Sequence, residues 1–263
     1  MLNCTIWGIL IKTTEEEATP LTLQSTAHKV RDKTMPLCTM VVAAAGSSTR
    51  MGGVDKLFAL VGGIPVLQRT LWAIDNASLV SEIIVAAGEN NMEPVAKLCA
   101  EAGLRKPIRV VRGGATRVHS VLSAALEAQP KTGIIAVHDG ARPFATPALI
   151  DEMIRTGYRT QAAAPAVPVK DTVKVVGEDG AVLTTPDRAT LRAVQTPQVF
   201  HADLLKAALT AALQTGAAVT DDCSAVELLG KKVYLFPGEE RNIKITTPQD
   251  LAVAESMIGE ELL

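Results

Sequence analysis

VVAAAGSSTRMGGVDKLF, from Val41 to Phe58, joins an apolar strand to a loop of small residues that carries Arg50 and Lys56. Few side chains there keep a ligand off the backbone. Open N–H groups in a glycine-rich turn after a strand form an anion-binding concavity, and two nearby cations can neutralise phosphate oxygens. A polyphosphate grip is the reading that follows; a plain strand-to-helix turn with solvated cations uses the same residues. The pattern excludes two common loops. A Walker A loop needs GxxxxGK[ST], whereas Gly46 is followed by Gly52 and Gly53 with no Lys-Ser or Lys-Thr pair behind them. A dinucleotide fingerprint needs GxGxxG and an acid about 20 residues on, and neither is present.

Outward from this loop, short apolar runs alternate with amphipathic segments. Strands are expected at Thr39 to Ala44, Glu82 to Ala87, Ile108 to Val111, Gly133 to Val137, Ala162 to Val167 and Lys232 to Phe236. Helices are expected near Val66 to Asn76, Glu93 to Ala102, Arg117 to Ala128, Pro147 to Thr156, Ala202 to Gln214, Asp221 to Leu229 and Pro248 to Met257. Continuously apolar strand runs imply burial on both faces, so the expected fold is α/β, a mostly parallel sheet with helices on both sides. Ligands of such sheets sit at the carboxyl ends of the strands.

One region breaks the alternation. Pro168 to Val194 holds two β-prone runs around Gly177-Glu178-Asp179-Gly180, a protruding hairpin arm. A lone hairpin is marginal in water, and a second copy of the chain is the economical partner, so a homodimer is expected; an arm folded back on its own domain is the alternative.

Composition narrows the function. Lys+Arg number 26 against 28 Asp+Glu and aromatics are 3%, which disfavours nucleic-acid binding. Cys4, Cys38, Cys99 and Cys223 form no CxxC pair, so neither a zinc site nor a disulfide framework is suggested and a reducing cytoplasm is the expected compartment. No apolar run approaches the roughly 20 residues that span a bilayer, so no membrane partner is expected. Residues 1–36 read as an N-terminal extension, disordered or preceding a true start at Met35, with a functional tail as the competing reading, and 37–263 as the folded domain with its arm at about 168–194.

The strand ends carry the chemistry. RGGATRVHSV, Arg112 to Val121, offers Gly113 and Gly114 for close approach and puts Arg117 and Ser120 in the first turn of a helix, where a polar or anionic ligand is favoured; taken alone, it reads first as a helix entry with glycines for tight packing. In HDGARPF, His138 to Phe144, Asp139 is placed to hold Mg²⁺ on a substrate's phosphates and Arg142 to reach an anion. His138 reads as a structural histidine, because an ionised phosphate nucleophile needs no base. Lys244, at the start of an apolar strand-like run, must be exposed, paired or functional. Asp222 reads as a favourable acid at a helix start.

In order along the chain, AAAGSSTRMG with Lys56, GGATRVHSV, VHDGARPF, PVKDTVK, TPDR, QTPQVF, TDDCSAVE and NIKITTPQDL resemble the 2-C-methyl-D-erythritol 4-phosphate cytidylyltransferase family of the non-mevalonate isoprenoid pathway. The resemblance runs from about Leu37 to the C-terminus. It implies a Rossmann-like nucleotidyltransferase fold, Mg²⁺, CTP and the methylerythritol phosphate as substrates, and a dimer joined through the arm. By position it implies that Arg50 and Lys56 stabilise the transition state and that Arg188 and Lys244 position the sugar phosphate. Ala44, Ala45, Gly46, Gly114, Ser120 and Asp139 fall where the family holds the nucleotide and its metal, and Arg142, Thr172, Thr196 and Thr220 fall in its substrate pocket. Ala115 departs from an acidic residue often seen in the family, the loop before Lys56 is a little short, and residues 1–34 have no counterpart. Ribitol-5-phosphate cytidylyltransferase, which tends to carry LAGG in place of AAAG and lacks PVKDTVK, is the alternative enzyme. A non-catalytic nucleotide-binding protein is the alternative of another class, one expected to have lost Arg50, Lys56 or Asp139.

Overall fold

The structure is a computed structural model that describes residues 35–46 and 55–261. Arg50 and the N-terminal extension up to residue 34 lie outside the described residues. Met35–Leu263 forms one compact unit.

In chain order the elements are β1 (Leu37–Ala44), a short hairpin of β2 (Leu60–Val61) and β3 (Ile64–Pro65), α1 (Val66–Asn76), β4 (Val80–Ala87), α2 (Met92–Glu101), β5 (Ile108–Arg112), α3 (Arg117–Leu126), β6 (Thr132–Asp139), α4 (Pro147–Thr160) and β7 (Ala162–Pro168). There follow β8 (Val175–Val176), β9 (Val182–Thr184), β10 (Arg192–Val194), β11 (Gln198–His201), α5 (Ala202–Thr215), α6 (Asp222–Leu228), β12 (Tyr234–Pro237) and α7 (Pro248–Glu261).

The apolar runs behave as burial on two faces requires. Along β1, Met40 and Val42 face a cluster completed by α1, α2 and α4, while Val41 between them faces a second cluster with α3, α5 and α6. A strand alternates its side chains from one face to the other, so one run of hydrophobes anchors both helical layers.

Among the described residues the main sheet has eight strands, in the order β10-β7-β11-β6-β1-β4-β5 with β12 on β7. β1 pairs parallel with β4 and β6, and β4 with β5. From β1 the chain builds β4 and β5 outward on one side, then crosses back to lay β6 on the other. The connections therefore diverge at β1 and β6, and a crevice opens at their carboxyl ends, where such sheets bind ligands.

Three features depart from the sequence reading. β11 runs antiparallel between β6 and β7, and β10 runs antiparallel to β7 at the end of the strand order, so the mostly parallel sheet has one reversed strand inside it and one at its end. These strands are three and four residues long and separated by Pro197, too short to show a period. The second departure is at Lys244, whose apolar neighbours read as a strand; residues 238–247 are irregular, their apolar character belonging to tertiary burial of Ile245. The third is β2 and β3, two residues each, which the sequence reading did not separate from the loop before α1.

The expected arm leaves the sheet between β7 and β10, and its tip is the antiparallel pair β8 and β9, turned at Gly180 with φ of 79°. Val175, Val176, Val182 and Leu183 on it are exposed. Among the described residues no helix is long and apolar enough to cross a membrane.

Phe200 on β11 is fully buried against the layer that contains Leu205 and Leu209 of α5. Phe200→Ala is expected to lower unfolding free energy by about 3–5 kcal/mol, read by urea denaturation, because the truncated ring leaves a cavity in a close-packed layer.

Candidate active site

The loop after β1 begins the site. Ala45 and Gly46 leave the sheet at the crevice, and Gly140 N–H donates to the Ala43 carbonyl at 3.1 Å, tying the loop after β6 to the end of β1. The loop after β5 closes the third side. A Cβ on Gly113 would lie 2.9 Å from Ala45 Cβ and 2.8 Å from Ser120 Oγ, so only glycine lets these two loops meet. Ser120, almost fully buried in the first turn of α3, accepts from Gly114 N–H at 3.1 Å and donates to the Thr116 carbonyl at 2.9 Å. It locks the turn that brings Gly114 to the crevice.

The three loops enclose a cavity of about 380 Å³, and Ala44, Ala45, Gly46, Lys56, Gly114, Ser120, Asp139 and Lys244 all line it. Sequence reasoning placed each of these in the site, and the fold brings them together from four separate segments. Asp139 is the centre of its charge. Its Oδ1 accepts from Arg117 at 2.7 Å, and its Oδ2 lies 2.9 Å from Lys244 Nζ and 3.4 Å from Arg142 Nε. Burial alone would raise the Asp139 carboxyl, but Arg117, Lys244 and Arg142 outweigh it and hold the group ionised far below the usual carboxylate range.

Arg117, which lines the same cavity, is the residue the sequence reading mentioned but did not place in the site. It stands at the first position of α3, where the helix dipole disfavours a cation, and that misfit was the available signal. It is held by two carboxylates: beyond Asp139, its Nε and Nη2 donate to Asp222 Oδ2 at 3.2 and 2.7 Å. Asp222 is the helix-start acid that the sequence reading expected, at the first position of α6, and it has this pairing besides. Asp221 is the N-cap of α6, in a capping box with Ser224, and Asp222 is a buried counter-ion for an arginine 105 residues away in sequence. Burial pushes the Asp222 carboxyl up, with Arg117 pulling the other way. Gln198 of β11 fixes this end of α6, its Oε1 accepting from the N–H groups of Asp222 and Cys223 at 3.0 and 3.1 Å.

Arg142 is buried behind Asp139 and donates to the Asn242 carbonyl at 2.6 Å. Thr196 is buried too; its hydroxyl accepts from the Asp139 N–H at 3.1 Å and meets His138 Nδ1 at 2.9 Å. His138, with Nε2 3.4 Å from the Arg142 carbonyl, is fully buried on β6, as a structural histidine should be. Arg142 and Thr196 lie behind the cavity lining, and three further predicted positions stand apart from it. Thr220 is exposed just before α6, while Thr172 and Arg188 are exposed on the arm, with Arg188 Nη1 donating to the Lys170 carbonyl at 2.8 Å. Arg50 lies outside the described residues.

Three cations against two carboxylates leave this cluster with a positive excess, and Lys56 lines the same cavity. The arrangement suits an anionic ligand of several charges. The match to the model of the family described as IspD, 2-C-methyl-D-erythritol 4-phosphate cytidylyltransferase, spans residues 38–260. The chain belongs to that family. The 2-C-methyl-D-erythritol 4-phosphate cytidylyltransferase of Caldanaerobacter subterraneus subsp. tengcongensis is 44% identical over 221 residues, 82% of this chain and 96% of that one. Its counterpart from Bacillus cytotoxicus is 43% identical, over 84% of this chain and 97% of the relative. Among solved structures, the 4-diphosphocytidyl-2C-methyl-D-erythritol synthase of Anaerococcus prevotii superposes with a TM-score of 0.76 at 30% identity, over 85% of this chain and 99% of that one. The Thermus thermophilus 2-C-methyl-D-erythritol 4-phosphate cytidylyltransferase gives 0.68 at 33% identity, covering 85% and 98%.

Burial lowers His138 from an ordinary 6.5 to about 4. The folded protein therefore keeps this imidazole neutral where the unfolded chain protonates it, and stability is lost as pH falls from 6.5 towards 4. The loss attributable to this group is about 3 kcal/mol at the bottom of that window. Chemical denaturation of the protein without nucleotide or metal, at pH 7 and at pH 4.5, is expected to show the fall, and a folded His138→Gln variant to show a shallower one.

Proposed function

We propose that this chain transfers the cytidylyl group of CTP to 2-C-methyl-D-erythritol 4-phosphate, giving 4-diphosphocytidyl-2-C-methyl-D-erythritol and pyrophosphate. The observation that carries the reading is the cation-rich cavity at the β1 and β6 strand ends in a chain of this family. Family membership over residues 38–260 favours this substrate over ribitol 5-phosphate, and the retention of Lys56 and Asp139 in that cavity argues against a non-catalytic nucleotide binder.

In the reaction an oxygen of the methylerythritol phosphate attacks the α-phosphorus of CTP, a new P–O bond forms, and the bond to the leaving pyrophosphate breaks. Attacker and electrophile are both anionic, so repulsion and alignment dominate the barrier. No proton needs to be abstracted, which agrees with His138 being buried in hydrogen bonds. Lys56, with Arg50 six residues before it in the sequence, neutralises charge on the α-phosphate and pyrophosphate. Lys244 holds the attacking phosphate in line, and the Asp139 carboxylate keeps its ammonium at the cavity until that anion arrives. The glycine-lined wall at Gly46 and Gly114 lets the nucleotide lie against backbone.

The donor set bears on Mg²⁺. Among the described residues no group of three or more His, Cys, Asp or Glu side chains could cage a metal, and both Asp139 oxygens already face cations. A single ionised carboxylate suits an ion carried in on the triphosphate, since Mg²⁺ commonly uses one or two carboxylates plus substrate phosphates. Asp139 is then the residue that would face it, and the ion supplies charge neutralisation on phosphate oxygens.

The exposed valines and leucine of the arm support a homodimer joined through it, because a two-stranded hairpin with an apolar surface gains most by packing on a partner. Arg188 and Thr172, which stand apart from their own cavity, would then act on a substrate at the dimer. A cytoplasmic setting fits reduced cysteines: Cys38, Cys99 and Cys223 are free and buried.

Pyrophosphate release from CTP is expected with the methylerythritol phosphate, not with ribitol 5-phosphate, and to stop when Mg²⁺ is omitted. Arg50→Ala and Lys56→Ala should each lower kcat by about 100- to 1,000-fold with the melting temperature unchanged; near-normal turnover in both sinks the assignment. Sedimentation at micromolar concentration is expected to show a dimer that Val176→Asp combined with Leu183→Asp dissociates.

A further inference from the structure

Lys244 has no regular element to hold it. Residues 238–247, between β12 and α7, make neither helix nor strand, so no ladder sets the backbone that carries this lysine. Its position rests on anchors to either side. On one side the Ile245 N–H donates to the Ala141 carbonyl at 2.9 Å, with the Ile245 side chain fully buried. On the other stands Asn242, also 0% exposed.

Asn242 joins three segments of the site. Its Nδ2 donates to the Thr196 carbonyl at 2.8 Å, with Gln195 Oε1 3.4 Å away. Its own carbonyl accepts from Arg142 at 2.6 Å, and its N–H closes a turn on the Glu239 carbonyl at 2.9 Å. Thr196 in turn accepts the Asp139 N–H. One residue thus ties the backbone two residues before Lys244 to the turn that holds Asp139, through its side-chain amide, and to the arginine behind Asp139, through its main-chain carbonyl.

We propose that Asn242 is a positioning residue for Lys244, setting through the Thr196 carbonyl the registry between the lysine and the Asp139 carboxylate. The catalytic half of this inference rests on the reading of Lys244 as the group that holds the attacking phosphate. A rigid anchor matters because an error of about 1 Å in a reacting group can cost about 100-fold in rate. The Ile245 N–H and the Arg142 bond to the Asn242 carbonyl hold the main chain of the segment, and the Asn242 side-chain amide adds the tie to the Thr196 carbonyl.

The test uses the full chain carrying Asn242→Ala, with Asn242→Ser as the milder change should the alanine variant not fold. Both keep the backbone carbonyl that Arg142 uses. Without any substrate, acetic anhydride labelling of the folded protein, read by mass spectrometry against Lys231 as internal reference, is expected to show faster acetylation of Lys244 in the variant. An unchanged Lys244 rate in a folded variant overturns the clamp. With substrates, KM for the alcohol phosphate is expected to rise about 10-fold while KM for CTP changes by less than about twofold. In a Lys244→Ala background the Asn242 change is expected to add less than about twofold, because the two act through one another. Independent, multiplying effects, or equal rises in both KM values, mean that Asn242 only supports the fold and overturn the proposal. If Lys244→Ala by itself leaves the alcohol phosphate KM unchanged, it is the assigned role of Lys244 that fails, and the labelling rate still decides whether Asn242 holds it.

Discussion

One carboxylate organises the cavity. Asp139 takes Arg117 on one oxygen and Lys244 and Arg142 on the other, and each cation comes from a different part of the chain. Brought together without it, three positive groups in a partly dry site would repel one another, since charges interact more strongly away from water. With it, they converge on a space of a few hundred cubic ångströms and still leave net positive charge for a ligand. Removing a partner from such a cluster is costly because the remaining charges stay buried. The loops that bear Lys244 and Arg142, and the start of α3, therefore depend on Asp139 as much as any ligand does.

The sheet is built to deliver this carboxylate. β6 ends on Asp139 beside the end of β1, at the place where the strand order turns, and β11 fills the far side of β6 in the reverse direction. That reversed strand has a second task. Gln198 at its start caps the first N–H groups of α6, which sets Asp222 where it can hold Arg117 from behind. A packing decision in the sheet thus reaches the cavity through one side-chain amide and one buried ion pair. Thr196, just before β11, binds the Asp139 N–H, so the same short segment supports the site from two directions.

The arm follows a different logic. It carries little buried area of its own, exposes Val175, Val176, Val182 and Leu183, and presents Arg188 and Thr172 away from the cavity of its own chain. Within one chain its apolar surface is unexplained, and that exposure is the ground on which a homodimer is proposed.

Much of this was legible in the residues themselves. The runs at β1, β4, β6 and β7 are continuously apolar, and burial on both faces permits little else, so the α/β layering follows from composition and period. Helix positions follow equally well because their apolar stripes recur at helical spacing; α1 spans Val66–Asn76 as read. The loop residues Gly46 and Gly114 could be picked out because glycine after a strand leaves backbone open. Pairings were a different matter. Nothing local tells Asp222 that its partner is Arg117, or Asn242 that its amide will meet the Thr196 carbonyl, since those choices depend on which strands lie side by side. β10 and β11 are too short for periodicity to reveal, and the apolar neighbours of Lys244 imitate a strand because burial of an irregular segment needs the same side chains. By itself, then, the sequence determined the layers and the identities of the cations and carboxylates, because hydrophobic period and side-chain chemistry are local properties. Only the tertiary structure decided which charges would share a carboxylate, because ion pairs and buried hydrogen bonds are settled by distances across the fold.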